Sequence, residues 1–452
     1  MTRDAANNTV SQTWDRPLAS PGKIPDSADI VIIGGGIVGV STAWFLARQG
    51  IRVALCEKGH IAGEQSGRNW GWVRQQGRDV RELPMMIESM NVWRGLESEI
   101  GEDVGFIQGG CLFAARKQKE LDGFADWLEI AREHGLDTRI ITGKELERQV
   151  GPAASQWAGA MFTASDGRAE PHKATPALAR AAASKGASIL TACAARGLET
   201  EGGRVSAVVT ERGAIRTSVV LCAAGAWSSL FCRPLGIAVP QLKVHGNVLR
   251  TAPARATLNG NLFDSKVGIR RRQDGGFTVA HGSLLLHPVT PSTFRYAFKF
   301  LPALRQEFKT LRLSIGKEFL EEFCTPSRWA LDAVSPFEKN RVLNPRPAPS
   351  VIAKIKANLA VTFPELAGVE IAETWAGMVE TSPDVVPVIC PIDRIPGFYL
   401  ATGFSGHGFG IGPGAGKAIA GMLTGADSGI DLSQLRLERF FDGSPIRPQS
   451  SI

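Results

Sequence analysis

The chain has 452 residues. Because one domain typically has roughly 150 residues, this length predicts more than one domain. The 44% apolar and 21% charged residues are typical of a globular protein and exclude a disordered chain, and the 50 glycines lack the three-residue period of a fibrous repeat. The net charge of +7 mildly favours anionic partners, but its basic residues are scattered apart from Arg270, Arg271 and Arg272, so nucleic acid is not an expected partner.

The cysteine pattern and the N-terminal sequence bear on location. The seven cysteines are an odd number without a C-x-x-C pair, which predicts neither disulfides nor a metal site and indicates a reducing compartment. The first 27 residues are polar and predict a flexible extension without a secretory signal. Glycines interrupt the longest apolar run, residues 30–47, so no transmembrane segment is expected. We therefore expect a cytoplasmic protein, with peripheral attachment to the inner face of a membrane as the alternative.

The first predicted elements form a βαβ unit. Residues 29–33 are a buried β-branched strand, 38–48 a helix that ends at Gly50, and 52–56 a second buried strand. Further along, helices are predicted within 84–135 (including 124–134) and at 175–184, and an irregular segment at 152–165. Strands are predicted at 188–192, 205–210 and 218–222.

The middle of the chain has a different texture. Between about 241 and 345 lie alternating strands such as 276–280 and a helix-rich stretch around 300–323, which predict a separate domain. Near the end, a strand runs into glycine at 397–403 and a closing helix spans 412–422.

The strongest motif is Gly34-x-Gly36-x-x-Gly39, between the first strand and the first helix. Its glycines allow a tight turn, approach of a pyrophosphate to backbone N–H groups, and close packing of helix on strand. Glu57 ends the second strand, where a carboxylate binds the ribose hydroxyls of a dinucleotide and disfavours NADP. The glycine-punctuated loop at 63–74 and the late segment Gly403–Gly410, just before a helix, favour FAD over NAD.

These motifs together resemble the D-amino-acid oxidase-like flavoprotein family, which includes glycine oxidase, sarcosine oxidase and small-chain amino-acid dehydrogenases. The resemblance covers about residues 28–430, with the motifs in the family's order. They are the fingerprint ending at Glu57, Ser66-Gly67-Arg68-Asn69, Asp166-Gly167 with Pro171, Ala224-Gly225-Ala226-Trp227, Trp375-x-Gly377-x-x-x-Thr381-x-Pro383-Asp384 with Pro387, and Gly406-His407-Gly408.

The resemblance implies an α/β fold: a Rossmann-like FAD-binding domain with an interleaved α+β substrate domain built on a mixed or antiparallel sheet. Residues 28–110, 160–240 and 370–430 would form the FAD-binding domain, and 111–159 and 241–369 the substrate domain. Residues 1–27 would be the flexible extension and 431–452 a C-terminal tail.

The cofactor expected from the resemblance is non-covalent FAD, because the segment Gly377–Glu380 lacks the cysteine to which some relatives attach flavin. The predicted cofactor-binding residues are Gly34, Gly36, Ile37, Val38, Gly39, Glu57, Lys58, Ser66, Gly67, Arg68, Asn69, Trp70, Gly71, Gly225, Trp227, Gly403, Gly406, His407, Gly408, Phe409 and Gly410.

Four residues are candidates for substrate contact. Arg74 matches an arginine that binds a substrate carboxylate in sarcosine-oxidase-like relatives, with a structural ion pair as the alternative. Glu380 replaces the usual arginine of glycine-oxidase-like relatives and suggests a substrate cation, unless it is solvated or paired. His245 lies at the turn leading into the substrate domain, where it lines the pocket or is a structural turn histidine. Arg270 lies on a strand expected to cross the flavin, with a solvated edge formed by Arg270 to Arg272 as the alternative.

The activity implied is oxidation of the C–N bond of an amine or amino acid, secondary amines included, by hydride transfer to flavin N5. Oxygen or a quinone-type acceptor would reoxidise the flavin, and Lys243 and Lys266 are candidates for an oxygen-activating lysine. The first alternative is oxidation of a 2-hydroxy acid or another alcohol, for which His245 or His407 would be the base. An NAD(P)H-dependent aromatic hydroxylase and a non-catalytic nucleotide- or tRNA-binding protein are the others.

Overall fold

The computed structural model describes residues 23–308 and 310–449. The predictions for 1–22 and 450–452, within the N-terminal extension and the C-terminal tail, lie outside these residues. The strands are β1 (Ile30–Ile33), β2 (Val53–Cys56), β3 (Trp72–Val73), β4 (Cys111–Ala115), β5 (Thr138–Ile141), β6 (Gly159–Thr163), β7 (Gly167–Arg168), β8 (Ser188–Leu190), β9 (Ala195–Glu201), β10 (Arg204–Thr210), β11 (Gly213–Arg216), β12 (Val220–Cys222), β13 (Leu242–Thr251), β14 (Asn261–Phe263), β15 (Val267–Arg271), β16 (Phe277–His281), β17 (Leu285–Pro288), β18 (Leu311–Ser314), β19 (Ile371–Thr381), β20 (Val388–Pro391) and β21 (Phe398–Thr402).

The helices alternate with these strands. They are α1 (Ile37–Ala47), α2 (Gln65–Arg68), α3 (Leu83–Ile100), α4 (Gln118–Asp122), α5 (Ala125–Glu133), α6 (Gly143–Val150), α7 (Pro171–Ser184), α8 (Ser228–Cys232), α9 (Pro291–Arg295), α10 (Ala297–Glu307), α11 (Lys317–Phe323), α12 (Pro336–Lys339), α13 (Pro349–Thr362) and α14 (Gly408–Thr424). Short 3-10 turns cover Gly151–Gln156, Gly225–Trp227, Pro364–Leu366, Ser433–Leu435 and Leu437–Phe440.

One sheet has six strands in the order β20-β21-β12-β1-β2-β8. All its pairs are parallel except β20 with β21. Strands β1, β2 and β12 are buried along their whole length, which explains their continuous apolar sequences. Helices α1, α3, α7 and α14 pack together over one face of this sheet. The predicted Rossmann-like unit is confirmed.

A second sheet of ten strands runs β18-β17-β13-β16-β15-β14-β4-β6-β5, with β19 paired to β13. Most pairs are antiparallel, but β14 with β4 and β17 with β18 are parallel, so the mixed sheet is confirmed. Helix α13 covers it and closes a separate apolar core. The predicted domain division places β19 with the FAD-binding part, whereas its backbone pairs lie in this larger sheet.

Two predicted segments differ from the structure. Residues 152–165, predicted as irregular, contain β6, whose five residues are all buried between β4 and β5. A strand buried on both faces carries no polar alternation, so its short sequence gave no periodic signal. The closing helix, predicted from 412, begins at Gly408 because the late glycine motif forms its first turn. Within the described residues, no helix is both long and apolar enough to cross a bilayer.

Candidate functional site

The turn between β1 and α1 depends on glycine at two positions. Gly34 has φ of 115°, and a Cβ there would lie 2.3 Å from the carbonyl oxygen of Ala223, which directly follows the neighbouring strand β12. A Cβ on Gly39 would lie 2.2 Å from the carbonyl oxygen of Gly34. Larger side chains at these positions would therefore push α1 away from the sheet. Gly36 is the N-cap residue of α1, and together with Ile37 and Val38 of the first turn it lines the cavity.

The carboxylate of Glu57 borders the same cavity at the end of β2. Its Oε2 accepts a hydrogen bond from Gly35 N at 2.8 Å, and its Oε1 accepts one from Gly59 N at 2.6 Å. Burial raises the pKa of Glu57, although Lys58 nearby opposes this effect. These bonds hold the acid beside the glycine turn, where the ribose of a dinucleotide lies in folds of this kind.

The loop after β2 folds back onto the start of α1. Ser66 Oγ accepts a hydrogen bond from Ile37 N at 2.9 Å, and Asn69 closes the loop by accepting one from Gly71 N at 2.7 Å. Arg68 donates to the carbonyl oxygen of Ala376 on β19 at 3.0 Å. The loop thus joins the six-stranded sheet to the larger sheet.

These segments surround a cavity of about 690 Å³ between the two sheets. The predicted cofactor residues in its wall come from the early, middle and late parts of the chain. They are Gly34, Gly36, Ile37, Val38, Glu57, Lys58, Ser66, Arg68, Asn69, Trp70, Gly225, Trp227, Gly406, His407, Gly408 and Phe409. The tertiary structure therefore brings residues almost 400 positions apart into one wall.

Five predicted cofactor residues support that wall from behind. Gly39 lies under the turn, and Gly67 is part of α2. Gly71 has φ of 80° and accepts a hydrogen bond from Ala169 N. Gly403 N donates to Glu380, and the carbonyl of Gly410 accepts bonds from Ser89 and Trp93 on α3. They shape the backbone of the site.

Beyond the glycine turn, the cavity has an apolar chamber. Trp72 and Phe263 meet edge to face with ring centroids 6.5 Å apart, and Phe113 lies 5.3 Å from Phe263. Val244 and Leu285 of the larger sheet also line it. Such walls suit an apolar group of a ligand.

Two guanidinium groups lie at the wall of this chamber. Arg74 donates to the carbonyl of Gln76, and its guanidinium carbon lies 5.1 Å from the Phe113 ring centroid. Arg78 is 4% exposed and donates from Nε to the carbonyl of Arg74, while its Nη1 has no hydrogen-bond partner among the described residues. Burial and the neighbouring Arg74 lower the pKa of Arg78 to about 9. An unsatisfied buried cation beside a cavity indicates an anionic ligand group.

A buried Glu–His pair adjoins the guanidinium groups. His407 Nδ1 lies 3.0 Å from Glu82 Oε1, which links the start of α14 to the start of α3. Burial would raise the pKa of Glu82, but His407 and Arg78 outweigh it and lower the pKa. Burial and Arg78 lower the pKa of His407. Both effects favour a neutral imidazole beside a carboxylate.

Glu380 also borders the cavity, in a fully satisfied environment. Its Oε2 accepts hydrogen bonds from Gln241 and Thr402, at 2.9 and 3.4 Å, and its Oε1 from Gly403 N and Phe404 N, at 3.1 and 3.4 Å. It is 3% exposed, and burial raises its pKa to about 7. The side chain is thus neither a solvated loop residue nor half of an ion pair.

These features can be compared with known proteins. Residues 29–422 match the family model described as "DAO: FAD dependent oxidoreductase". The chain belongs to this family. Its fold is similar to that of L-amino acid deaminase from Proteus myxofaciens, solved in complex with anthranilate, with a TM-score of 0.91 and 34% identity over 94% of this chain and 96% of that one. L-proline dehydrogenase from P. horikoshii gives a TM-score of 0.76 with 26% identity over 93% and 99% of the two chains.

Curated relatives show the same family at lower identity. Mitochondrial sarcosine dehydrogenase of Mus musculus is 24% identical over 92% of this chain, and the sarcosine oxidase beta subunit of Rhodobacter capsulatus is 23% identical over 95%. This chain spans 42% of the mouse protein, less than half of its length, and 92% of the bacterial subunit.

FAD, the cofactor of the DAO family, fits the residues present. A Cβ on Gly36 would lie 3.1 Å from Ser66 Oγ and would fill the space over the start of α1, where a pyrophosphate needs the N–H groups. The wall then continues past Glu57 and the 223–227 turn to the start of α14. A second helix N-terminus there provides positive partial charge.

The structure removes two predicted substrate residues from the chamber. His245 lies on β13 between Val244 and Gly246, which line the cavity, so its side chain points to the opposite face of the strand and contacts Asn247. Arg270 is 1% exposed and forms a double hydrogen bond with Glu170, at 2.8 and 2.9 Å. Its role is structural, because this ion pair uses the guanidinium group.

Neither of the two lysines predicted to activate oxygen is among the residues that line the cavity. Lys243 lies on β13, with Nζ 5.6 Å from the Trp227 ring centroid, and burial lowers its pKa. Lys266 lies in the turn before β15, where its N–H donates to Asp264.

Sequence analysis missed Arg78, Glu82 and Gln241. The four-residue spacing of Arg74, Arg78 and Glu82 gave no signal, because these residues precede α3 in a segment of turns rather than on one face of a helix. Gln241 carried no such signal, because its contact with Glu380 spans 139 residues.

Proposed function

We propose that this protein oxidises the C–N bond of an amino acid or a related amine, with FAD as its cofactor. When bound, FAD supplies the acceptor for the hydride that leaves the substrate carbon. Electrons would then pass to oxygen or to a quinone-type acceptor. The observation that carries the proposal is the buried, unsatisfied Nη1 of Arg78, in a chamber of the same cavity as the dinucleotide cradle, the wall formed by Gly34–Val38, Glu57 and Ser66.

The guanidinium groups are the proposed carboxylate site. Arg78 offers an N–H that lacks a partner among the described residues, and Arg74 contributes a second positive charge close by. A carboxylate held there would compensate the two buried cations, and charge-assisted hydrogen bonds of this kind fix orientation. The carboxylate thereby sets which bond of the substrate faces the cradle.

The aromatic chamber is the proposed side-chain site. Trp72, Phe113 and Phe263 would contact an apolar or aromatic substituent and exclude water from it. The deaminase from Proteus myxofaciens was solved with anthranilate, which combines a carboxylate with an aromatic ring. We therefore favour amino acids with large apolar side chains over sarcosine-sized substrates.

Proton transfer requires a group near the amine. His407 is the proposed acceptor of the ammonium proton, because Glu82 at 3.0 Å would stabilise the imidazolium formed. Glu380 is proposed as part of the cavity wall and not as the proton acceptor, since at pH near 7 its carboxyl is only partly ionised.

We propose a cytoplasmic location with peripheral attachment to a membrane.

Anaerobic titration of the FAD-loaded protein tests the proposal. The panel pairs L- and D-phenylalanine with phenethylamine and N-methylphenylalanine, and adds sarcosine and phenyllactate. Bleaching of the yellow colour by an amino acid, but weakly by the matched amine, supports it. Bleaching by phenyllactate alone would establish the alcohol alternative, and bleaching by NADPH alone the hydroxylase alternative.

A further inference from the structure

Helix α5 covers the cavity beside the two guanidinium groups. It is joined to α4 through Gly123, and Phe124 is its N-cap residue. Gly123, Phe124 and Trp127 all line the cavity. Ala131 is the only buried residue of α5, so this helix lies on the outside of the protein. The wall next to Arg78 is therefore an outer helix that contributes two half-buried aromatic side chains.

Trp127 forms a hydrogen bond with the backbone of Arg78. Its indole Nε1 donates to the carbonyl oxygen of Arg78 at 3.2 Å. The other hydrogen bonds of Arg78 stay within the 74–78 turn: its N–H donates to the carbonyl of Gln75 at 3.3 Å, and its Nε to that of Arg74 at 3.2 Å. In the described part of the chain, Trp127 is thus the one residue outside this turn that hydrogen-bonds to Arg78.

The 74–78 turn needs support from other parts of the chain, because it belongs to neither β3 nor α3. Asp166 holds the middle of the turn, where its Oδ1 accepts a hydrogen bond from Gln75 N at 2.7 Å and its Oδ2 one from Gln76 N at 3.2 Å. At the end of the turn, the indole bond holds Arg78. It fixes the backbone from which the guanidinium group extends, and a binding group needs such support to keep its geometry.

We propose that Trp127 positions Arg78 for a substrate carboxylate and so contributes to the preference for amino acids over amines. This inference rests on the proposed function, because it requires the carboxylate site at Arg78. The Nη1 donor that lacks a partner among the described residues belongs to the side chain whose backbone Trp127 holds. In this role Trp127 acts through Arg78 and is a positioning residue.

The binding of two matched ligands measures this role without turnover. FAD-loaded protein is titrated calorimetrically with phenylacetate, and with ethylbenzene, which has the same ring and no carboxylate. The variants are Trp127→Phe, which keeps a ring and removes the N–H donor, Arg78→Met, and the two combined.

Trp329→Phe is the matched control. The indole Nε1 of Trp329 also donates to a backbone carbonyl, that of Arg196 at 2.9 Å, and Trp329 is not among the residues that line the cavity. Both variants therefore lose one bond of the same kind. Absorbance of bound FAD and the melting temperature report folding.

We expect Trp127→Phe to weaken phenylacetate binding by about three- to tenfold, the effect of one lost hydrogen bond, and ethylbenzene binding by less than about twofold. In the Arg78→Met background the same substitution should no longer weaken phenylacetate binding, because a positioning residue has no effect once the group that it positions is absent. Trp329→Phe should leave both affinities unchanged.

The outcomes separate this inference from the proposed function. Equal binding of phenylacetate and ethylbenzene to the wild-type protein would overturn the carboxylate site and the inference with it. If Arg78→Met abolishes the preference for phenylacetate and Trp127→Phe leaves it intact, the inference alone is wrong. It is also wrong if the effect of Trp127→Phe persists in the Arg78→Met background, because the indole would then act on the ligand directly. Equal losses for both ligands, with a larger fall in melting temperature than in Trp329→Phe, would show a merely structural contact.

Discussion

Replacing Glu380 by Gln should change how the stability of the protein depends on pH. Burial raises the pKa of this carboxyl from 4.5 to about 7 in the folded protein. Ionising it there consequently costs roughly 3 kcal/mol more than in the unfolded chain. Below pH 4.5 the group is protonated in both states. As the pH rises towards 7, the unfolded chain loses the proton first, so the folded protein loses that stability.

The side-chain amide of the Glu380→Gln variant has no proton to lose in this range, so the variant should lack this contribution. The amide can keep the bonds from Gly403 N and Phe404 N, but its NH₂ group would face the amide of Gln241. That mismatch lowers the free energy of unfolding of the variant by about 1–2 kcal/mol, and this loss does not vary with pH. The stability of the variant relative to wild type should therefore rise by roughly 3 kcal/mol between about pH 4.5 and 7.5.

Urea unfolding of the FAD-saturated proteins, followed by tryptophan fluorescence across this pH range, measures the difference. Asp166, whose pKa burial raises to about 6, titrates in both proteins and cancels. Glu99→Gln is the control, because Glu99 is exposed and paired with Arg48. Parallel stability curves for wild type and Glu380→Gln would refute the reasoning. They would show an ordinary, ionised carboxylate and revive Glu380 as the site of a substrate cation.

Three further substitutions test the cradle, the chamber and the support behind them. Gly39→Ala should cost about 1–3 kcal/mol and weaken FAD retention, because its Cβ has no room, whereas Gly95→Ala on open helix surface should be neutral or stabilising in the same thermal melts. Arg78→Met should lower kcat/KM for an amino acid by about 10- to 100-fold and affect the matched amine far less; equal losses would contradict a carboxylate site. Arg270→Met should destabilise the protein by about 3 kcal/mol, since it removes the double hydrogen bond of a buried carboxylate that then keeps only Arg272, at 3.9 Å, as a cation, while Arg48→Met at an exposed pair should cost under about 1 kcal/mol; comparable losses on urea unfolding would argue against the structural role.

Much of the dinucleotide half could be predicted from local patterns. The first strand, the glycine turn and Glu57 lie within about 30 residues, and each has a backbone requirement that only certain residues meet. Because these features are close together in the chain, local sequence patterns were sufficient to predict that they form one site. The late motif at Gly406–Gly410 was recognisable through the resemblance, although not its position as the first turn of α14.

The chamber depended on contacts between distant parts of the chain. Alternation along β13 decides that Val244 faces the cavity and His245 does not, and this depends on the register with β19. Arg270 was predicted as a site residue, but in the structure its guanidinium group pairs with Glu170, which lies 100 positions away in the sequence. Arg78 became a candidate only when burial left one of its donors unsatisfied. Local sequence thus determined the turn and its acid, because their chemistry is backbone geometry; tertiary packing decided which charged side chains were paired and which faced the ligand, because desolvation and pairing are properties of neighbours far along the chain.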